Sequence, residues 1–158
     1  MFLSCYTIVL LWYERHRRRM WKKKIRDIVK RAIDNGNLNI VLSPDVDGIV
    51  STVILAKYAR EVHNAETNVI GTYDSEALRM AGEYGPADAK KALWVDLDVR
   101  FDVPYVIGQH FLGKSNIGDT YFNPNIEMGV TSNMFEKCPI STTHLLLWSL
   151  YENEGDMC

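Results

Sequence analysis

Two hydrophobic periods take turns along this chain, one of helical spacing and one of short continuous apolar runs. Trp21, Ile25, Ile28, Val29, Ala32 and Ile33 recur every three or four positions, and Asn35-Gly36 supplies a stop. That spacing predicts an amphipathic helix over residues 21–34. Residues 38–42 then read as a buried strand, which Ser43-Pro44 ends. Past Gly48 the helical period returns through Ile49, Val53, Ile54 and Ala56 and runs to about residue 63.

The same alternation continues downstream. Residues 67–73 predict a second strand, and Asp74-Ser75-Glu76 looks like the start of a short helix over 77–84, ended by Gly85-Pro86. Residues 92–95 and 105–107 predict a third and a fourth strand. Residues 111–135, rich in Gly, Asn and Pro, read mostly as loop. Ser141-Thr142-Thr143 then caps a last helix, which runs through residue 150 and is apolar on most sides. Strands alternating with helices predict an α/β domain, its sheet mainly parallel, doubly wound and flanked by helices.

Length and composition fit this picture. The chain has 158 residues, 47% hydrophobic and 24% charged, which suits one globular domain with a sizeable core. The net charge of -2 hides an asymmetry. Residues 1–31 carry ten Lys or Arg against two acids, Glu14 and Asp27, so the remaining residues are strongly acidic. Such a body is a poor general surface for nucleic acid, and contact with a polyanion would depend on the basic segment or on bound metal. The basic run otherwise reads as a solvated face. Cys5, Cys138 and Cys158 are odd in number, far apart and without zinc-site spacing, which predicts a reduced, cytoplasmic protein.

Residues 1–20 read as an apolar and basic extension ahead of a domain over 21–158. The apolar run from Phe2 to Tyr13 is short for a membrane span, and its basic flank follows it, the reverse of a secretory signal. Three readings stay open for it: a membrane-surface anchor, a segment packed on the body or a partner, or an extension ahead of a start at Met20.

The candidate chemistry lies at strand ends. Asp45 and Asp47 fall between the first strand and its helix, Asp96 and Asp98 follow the third strand, and His110 follows the fourth. In a parallel sheet these ends share one edge, where open α/β sheets hold their ligands. Close carboxylates repel unless a cation lies between them. Oxygen donors with one imidazole suit manganese, or magnesium, better than zinc. Such a centre would activate water against a phosphate ester. His16, His63 and His144 read as structural, His144 as a satisfied core group, and the four tryptophans as packing residues.

Ser43-Pro44-Asp45-Val46-Asp47-Gly48-Ile49, then Val95-Asp96-Leu97-Asp98, then Val106-Ile107-Gly108-Gln109-His110 resemble the DHH phosphoesterase family, which includes RecJ-type exonucleases and small-oligonucleotide phosphodiesterases. Phe122-Asn123-Pro124-Asn125 and the Ser141-Thr142-Thr143 helix are similar to segments that follow the third motif in some members. The resemblance covers about residues 37–152. It implies a five-stranded parallel sheet and a dimanganese site that hydrolyses phosphodiesters. Asp45, Asp47, Asp96 and His110 would be its catalytic metal ligands, with Asp96 bridging. Gln109, Asn123 and Asn125 would contact a substrate, which would be a nucleotide or single-stranded nucleic acid.

The chain departs from that pattern in places. Gly108-Gln109-His110 stands where the family has Asp-His-His, Ser43 replaces a histidine, and the later aspartate has only Asp156 as a counterpart. The resemblance leaves the family's substrate-binding second domain without a counterpart in these residues, and a protein partner is one expected source of it. Two functions follow: a metal-dependent phosphoesterase, or a catalytically degenerate domain acting as a binding or assembly subunit. The haloacid-dehalogenase-like phosphatases also use Asp-x-Asp-Gly. Their strand runs straight into the first aspartate, whereas Ser43-Pro44 intervenes here, and no lysine with a paired-aspartate motif follows.

Overall fold

The computed structural model describes residues 5–74, 76–97, 103–110, 119–129 and 140–151, with side chains from residue 17 onward. A long helix, α1 (Cys5–Ala32), leads into β1 (Ile33–Asp34) and β2 (Asn37–Leu42). The helix expected to begin at residue 21 therefore starts at Cys5 and ends two residues early. The early end has a local cause. Asn35 and Gly36 both take positive φ, +49° and +78°, so the pair makes a tight hairpin of the Asn-Gly kind. Ile33 and Asp34 pair antiparallel with Leu38 and Asn37.

Helix α2 (Val46–His63) follows β2 at the expected place. Asp45 caps its start by accepting from the Gly48 amide at 2.8 Å, and Asn64 ends it in the left-handed conformation with φ +51°. Strand β3 (Glu66–Tyr73) then runs parallel to β2.

The helix predicted over 77–84 is not formed. In its place β4 (Leu78–Met80) turns back antiparallel on β3. Asp74 drives the reversal, because its Oδ1 accepts from the amides of Glu76 and Ala77 at 3.2 and 2.9 Å. The residue that signalled a helix start instead closes a turn.

The remaining elements are α3 (Pro86–Ala89), β5 (Leu93–Val95), β6 (Tyr105–Ile107), β7 (Tyr121–Phe122), α4 (Pro124–Glu127) and α5 (Thr142–Leu150). Strand β7 and the single turn α4 lie inside the stretch read as loop; residues 111–118 and 130–135 of that stretch fall outside the described residues. Among the described residues, seven strands form one sheet in the order β4-β3-β2-β5-β6-β7, with β1 on β2. Strands β2, β3, β5, β6 and β7 run parallel. The chain is thus an α/β domain with a mostly parallel sheet and flanking helices.

Two apolar clusters sandwich the sheet. Ile25, Ile28 and Val29 of α1, Leu55 and Tyr58 of α2 and Leu145 and Leu146 of α5 join Leu38, Ile40 and Ile107 in one of them. Val41, Ile70, Trp94 and Val106 pack with Ala89 of α3 in the other. Strand residues alternate between the two, as a period of two demands.

The basic run is partly internal, not only a solvated face. Lys22 is buried over the Trp148 ring at 4.9 Å, and Lys24 Nζ meets Glu127 at 2.6 Å. Arg26 Nε donates to the Ser149 carbonyl at 2.9 Å, which places a cation at the carboxyl end of α5 where the helix dipole favours one. No helix among the described residues is long and apolar enough to cross a membrane.

Candidate functional site

The parallel order brings the carboxyl ends of β2, β5 and β6 side by side. Asp45 follows β2, Asp96 follows β5 and His110 lies three residues past β6. All three line one cavity of about 410 Å³, together with Ser43, Pro44, Tyr73, Asp74 and Leu97. That size is in the range of small-ligand pockets.

The turn ahead of α2 is tightly built. Ser43 Oγ donates to Asp45 Oδ2 at 2.7 Å, and the Ser43 amide donates to the Val95 carbonyl at 3.2 Å, tying this turn to β5. A Cβ on residue 48 would run into the Ser43 carbonyl oxygen, so glycine is required by close approach.

Asp96 is the most constrained of the candidates. It is 2% exposed and holds φ +55°, a conformation that non-glycine residues seldom adopt and that clusters at functional sites. Its amide donates to the Ile107 carbonyl at 2.9 Å. Its Oδ1 accepts from the Thr142 hydroxyl at 2.6 Å and lies 3.3 Å from His110 Nε2.

Asp47 turns away from that cavity towards α5. Its Oδ2 accepts from the Thr142 amide at 3.0 Å and its Oδ1 from the Thr143 amide at 2.9 Å. The carboxylate thus sits on the amino terminus of a helix, where unpaired amides and the dipole both favour an anion. Burial alone would raise its pKa. The donors at Thr143, Thr142 and Ser141 outweigh burial and hold Asp47 below the ordinary carboxylate range.

The three residues expected to touch substrate behave differently from one another. Gln109 Nε2 stands 3.5 Å from Asp47 Oδ2, a long contact. Asn123 and Asn125 are buried. Asn123 donates to the His110 carbonyl, Asn125 donates to the Gln109 carbonyl at 2.6 Å, and Asn123 Oδ1 accepts from the Asn125 amide at 2.9 Å. The pair therefore fixes the backbone of the segment that presents Gln109 and His110. Asp98 and Asp156 lie outside the described residues.

Tyr73 and Asp74 in the cavity wall escaped the sequence reading. They follow the same strand-end logic, but the polar run that begins at Asp74 reads in the sequence as a helix start. Asp74 is ion-paired with Arg79, whose hydrogen bond is the main reason its pKa falls to about 2. His144, expected in the core, is exposed, with its Nδ1 3.1 Å from Ser141 Oγ in the first turn of α5.

The donor chemistry of Asp45, Asp96 and His110 suits a hard divalent ion such as manganese. Among the described residues, no three His, Cys, Asp or Glu side chains stand assembled as a ligand cluster. Comparison of the chain with family models, with curated proteins and with solved structures finds no match in any of the three.

Proposed function

We propose that this chain is a DHH-type phosphoesterase domain that hydrolyses a nucleotide or nucleic-acid phosphodiester with the help of manganese or magnesium. The observation that carries the reading is that Asp45, Asp96 and His110, from three adjacent strand ends, line a single cavity. The doubly wound arrangement of the family belongs to the same proposal. Asp45, Asp96 and His110 would hold the metal, which when bound lowers the pKa of water and offsets charge on the phosphoryl oxygens.

The chain's own residues do the rest. Thr142 orients the Asp96 carboxylate through its hydroxyl. The Asp96 carboxylate lies 3.3 Å from His110 Nε2 and so keeps the ring beside the cavity. Asn123 and Asn125 hold the Gln109–His110 backbone in place. Leu97 and Tyr73 supply part of the wall of the same cavity.

A second reading has its own support. Both oxygens of Asp47 are occupied by α5 amides, and Gly108-Gln109 offers neither a carboxylate nor an imidazole. Those features favour a binding or assembly subunit that kept the fold and lost turnover.

The deciding experiment is manganese-dependent hydrolysis by the full chain. Substrates are dinucleotides, single-stranded DNA, single-stranded RNA and a chromogenic phosphodiester, with Asp45→Asn plus Asp96→Asn as control. Cleavage that the double variant lacks supports the phosphoesterase. A folded protein with no cleavage above that variant rejects it in favour of the binding subunit.

A further inference from the structure

The outer face of α2 carries an apolar stripe that the site does not use. Val46, Ile49, Val50 and Val53 are 77%, 51%, 40% and 64% exposed. Their spacing is that of one helix face over two turns. Leu147 of α5, 44% exposed, extends the patch. Helices α2 and α5 run side by side in the same direction. Ser51 Oγ meets Thr143 Oγ1 at 3.1 Å near their starts, and Lys57 Nζ lies 5.3 Å from the Tyr151 ring near their ends. Leu147 falls between those two levels. Past Val53 the same face turns charged, with Lys57, Arg60 and Glu61 all exposed.

We propose that this stripe is a dimer interface between two copies of the chain, with α2 packed antiparallel on α2 of the partner subunit about a two-fold axis. The stripe is self-complementary in that arrangement. An axis between residues 49 and 50 sets Val46 opposite Val53 of the partner subunit and Ile49 opposite Val50 of the partner subunit. This is the isologous pattern that a two-fold requires.

The ends of the helix match as well. Asp45 stands exposed at the amino-terminal end, whereas Asp47 is turned towards α5, and Lys57 and Arg60 are exposed near the carboxyl end. Antiparallel packing carries Lys57 to within about three residues, ~5 Å at 1.5 Å per residue, of the level of Asp45 of the partner subunit. The Lys57 side chain is 64% exposed, and its contacts with Glu61 at 3.8 Å and with the Tyr151 ring at 5.3 Å are weak surface contacts that an ion pair across the interface can replace. The helix dipoles also oppose each other favourably.

The test is sedimentation of the full chain over a wide concentration range, with Ile49→Asp and Val53→Asp for comparison. Both positions face outward, so circular dichroism should match the parent. The expected result is a concentration-dependent dimer whose dissociation constant rises about tenfold or more in either variant. A second measurement replaces the three cysteines by serine and adds Val50→Cys. Mild oxidation should then link two chains through this near-axis position, while a cysteine at the C-terminal end of the stripe face, Arg60→Cys, should not link. A monomer at every concentration overturns the proposal. So does a dimer that both aspartate variants leave intact, since it would use another face.

Discussion

The Thr142 hydroxyl donates to Asp96 Oδ1 at 2.6 Å, and both groups are buried. The backbone amide of the same threonine donates to Asp47 Oδ2 at 3.0 Å. One residue at the start of the last helix thus fastens the aspartate turns that follow β2 and β5. Thr142→Val keeps the shape and removes the hydroxyl, leaving the Asp96 carboxylate short of a donor. A buried acceptor deprived of its partner costs about 1–3 kcal/mol. Denaturant unfolding should show that loss, and Thr142→Ser should recover most of it. A Thr142→Val protein as stable as the parent would show that the bond contributes nothing net.

Asp47 should couple stability to acid. Its pKa is lowered in the folded chain, so the unfolded chain binds the proton more tightly. The stabilisation is fully present above the ordinary carboxylate pKa of about 4 and fades as pH falls through the lower folded value. Asp47→Asn removes the charge from the amino terminus of α5 but keeps one acceptor, so the loss at pH 7 should be about 1 kcal/mol. The gap between parent and variant should close below about pH 4. A gap that stays constant from pH 7 to pH 3 would mean that the charge on Asp47 is not what docks α5.

The strand–turn–helix from β2 into α2 was legible in the sequence because every signal in it is local. Ser43-Pro44 stops the strand, Asp45 caps the helix, and Gly48 permits the close turn. The hairpin of β3 and β4 was not legible. An aspartate followed by two polar residues opens a helix or closes a turn equally well, and pairing with β3 decides between them. Asn35-Gly36 was likewise ambiguous between a helix stop and a hairpin. The fate of Asp47 was beyond reach for a different reason. Its partners, Thr142 and Thr143, lie 95 and 96 residues away, and no spacing rule reports a contact of that separation.

Gly48 and Gly36 separate two reasons for needing glycine. Gly48 has ordinary backbone angles, but a Cβ there would overlap the Ser43 carbonyl. Gly36 has open space around it but a φ of +78°. Gly48→Ala should cost about 1–3 kcal/mol by overpacking, and it should also disturb the cavity wall at Ser43 and Asp45. Gly36→Ala should cost about 1–2 kcal/mol by backbone strain and leave the cavity alone. Denaturant unfolding of the two variants, set beside the manganese binding proposed for the cavity, checks this. Equal effects of both on binding would contradict the assignment.

Two tyrosines should set the alkaline limit. Tyr58 and Tyr151 pack edge to face at 6.1 Å between α2 and the end of α5. Burial raises the pKa of Tyr58, with Arg26 opposing and Asp27 reinforcing the shift. Burial also raises Tyr151, helped by Glu61 and by Tyr58 itself. A raised folded pKa means that the stabilisation is complete below the free value of about 10 and is lost as pH climbs through the folded value. The parent should therefore unfold at lower denaturant concentration above pH 10 than at pH 8. Tyr58→Phe should lose less over that interval, because its ring packs without an ionisable group. Tyr151→Phe should also give up the weak contact of its hydroxyl with the Ile54 carbonyl, 3.4 Å away, so it should start slightly less stable at pH 8. Parallel pH dependence in the parent and both variants would place the alkaline limit elsewhere in the chain.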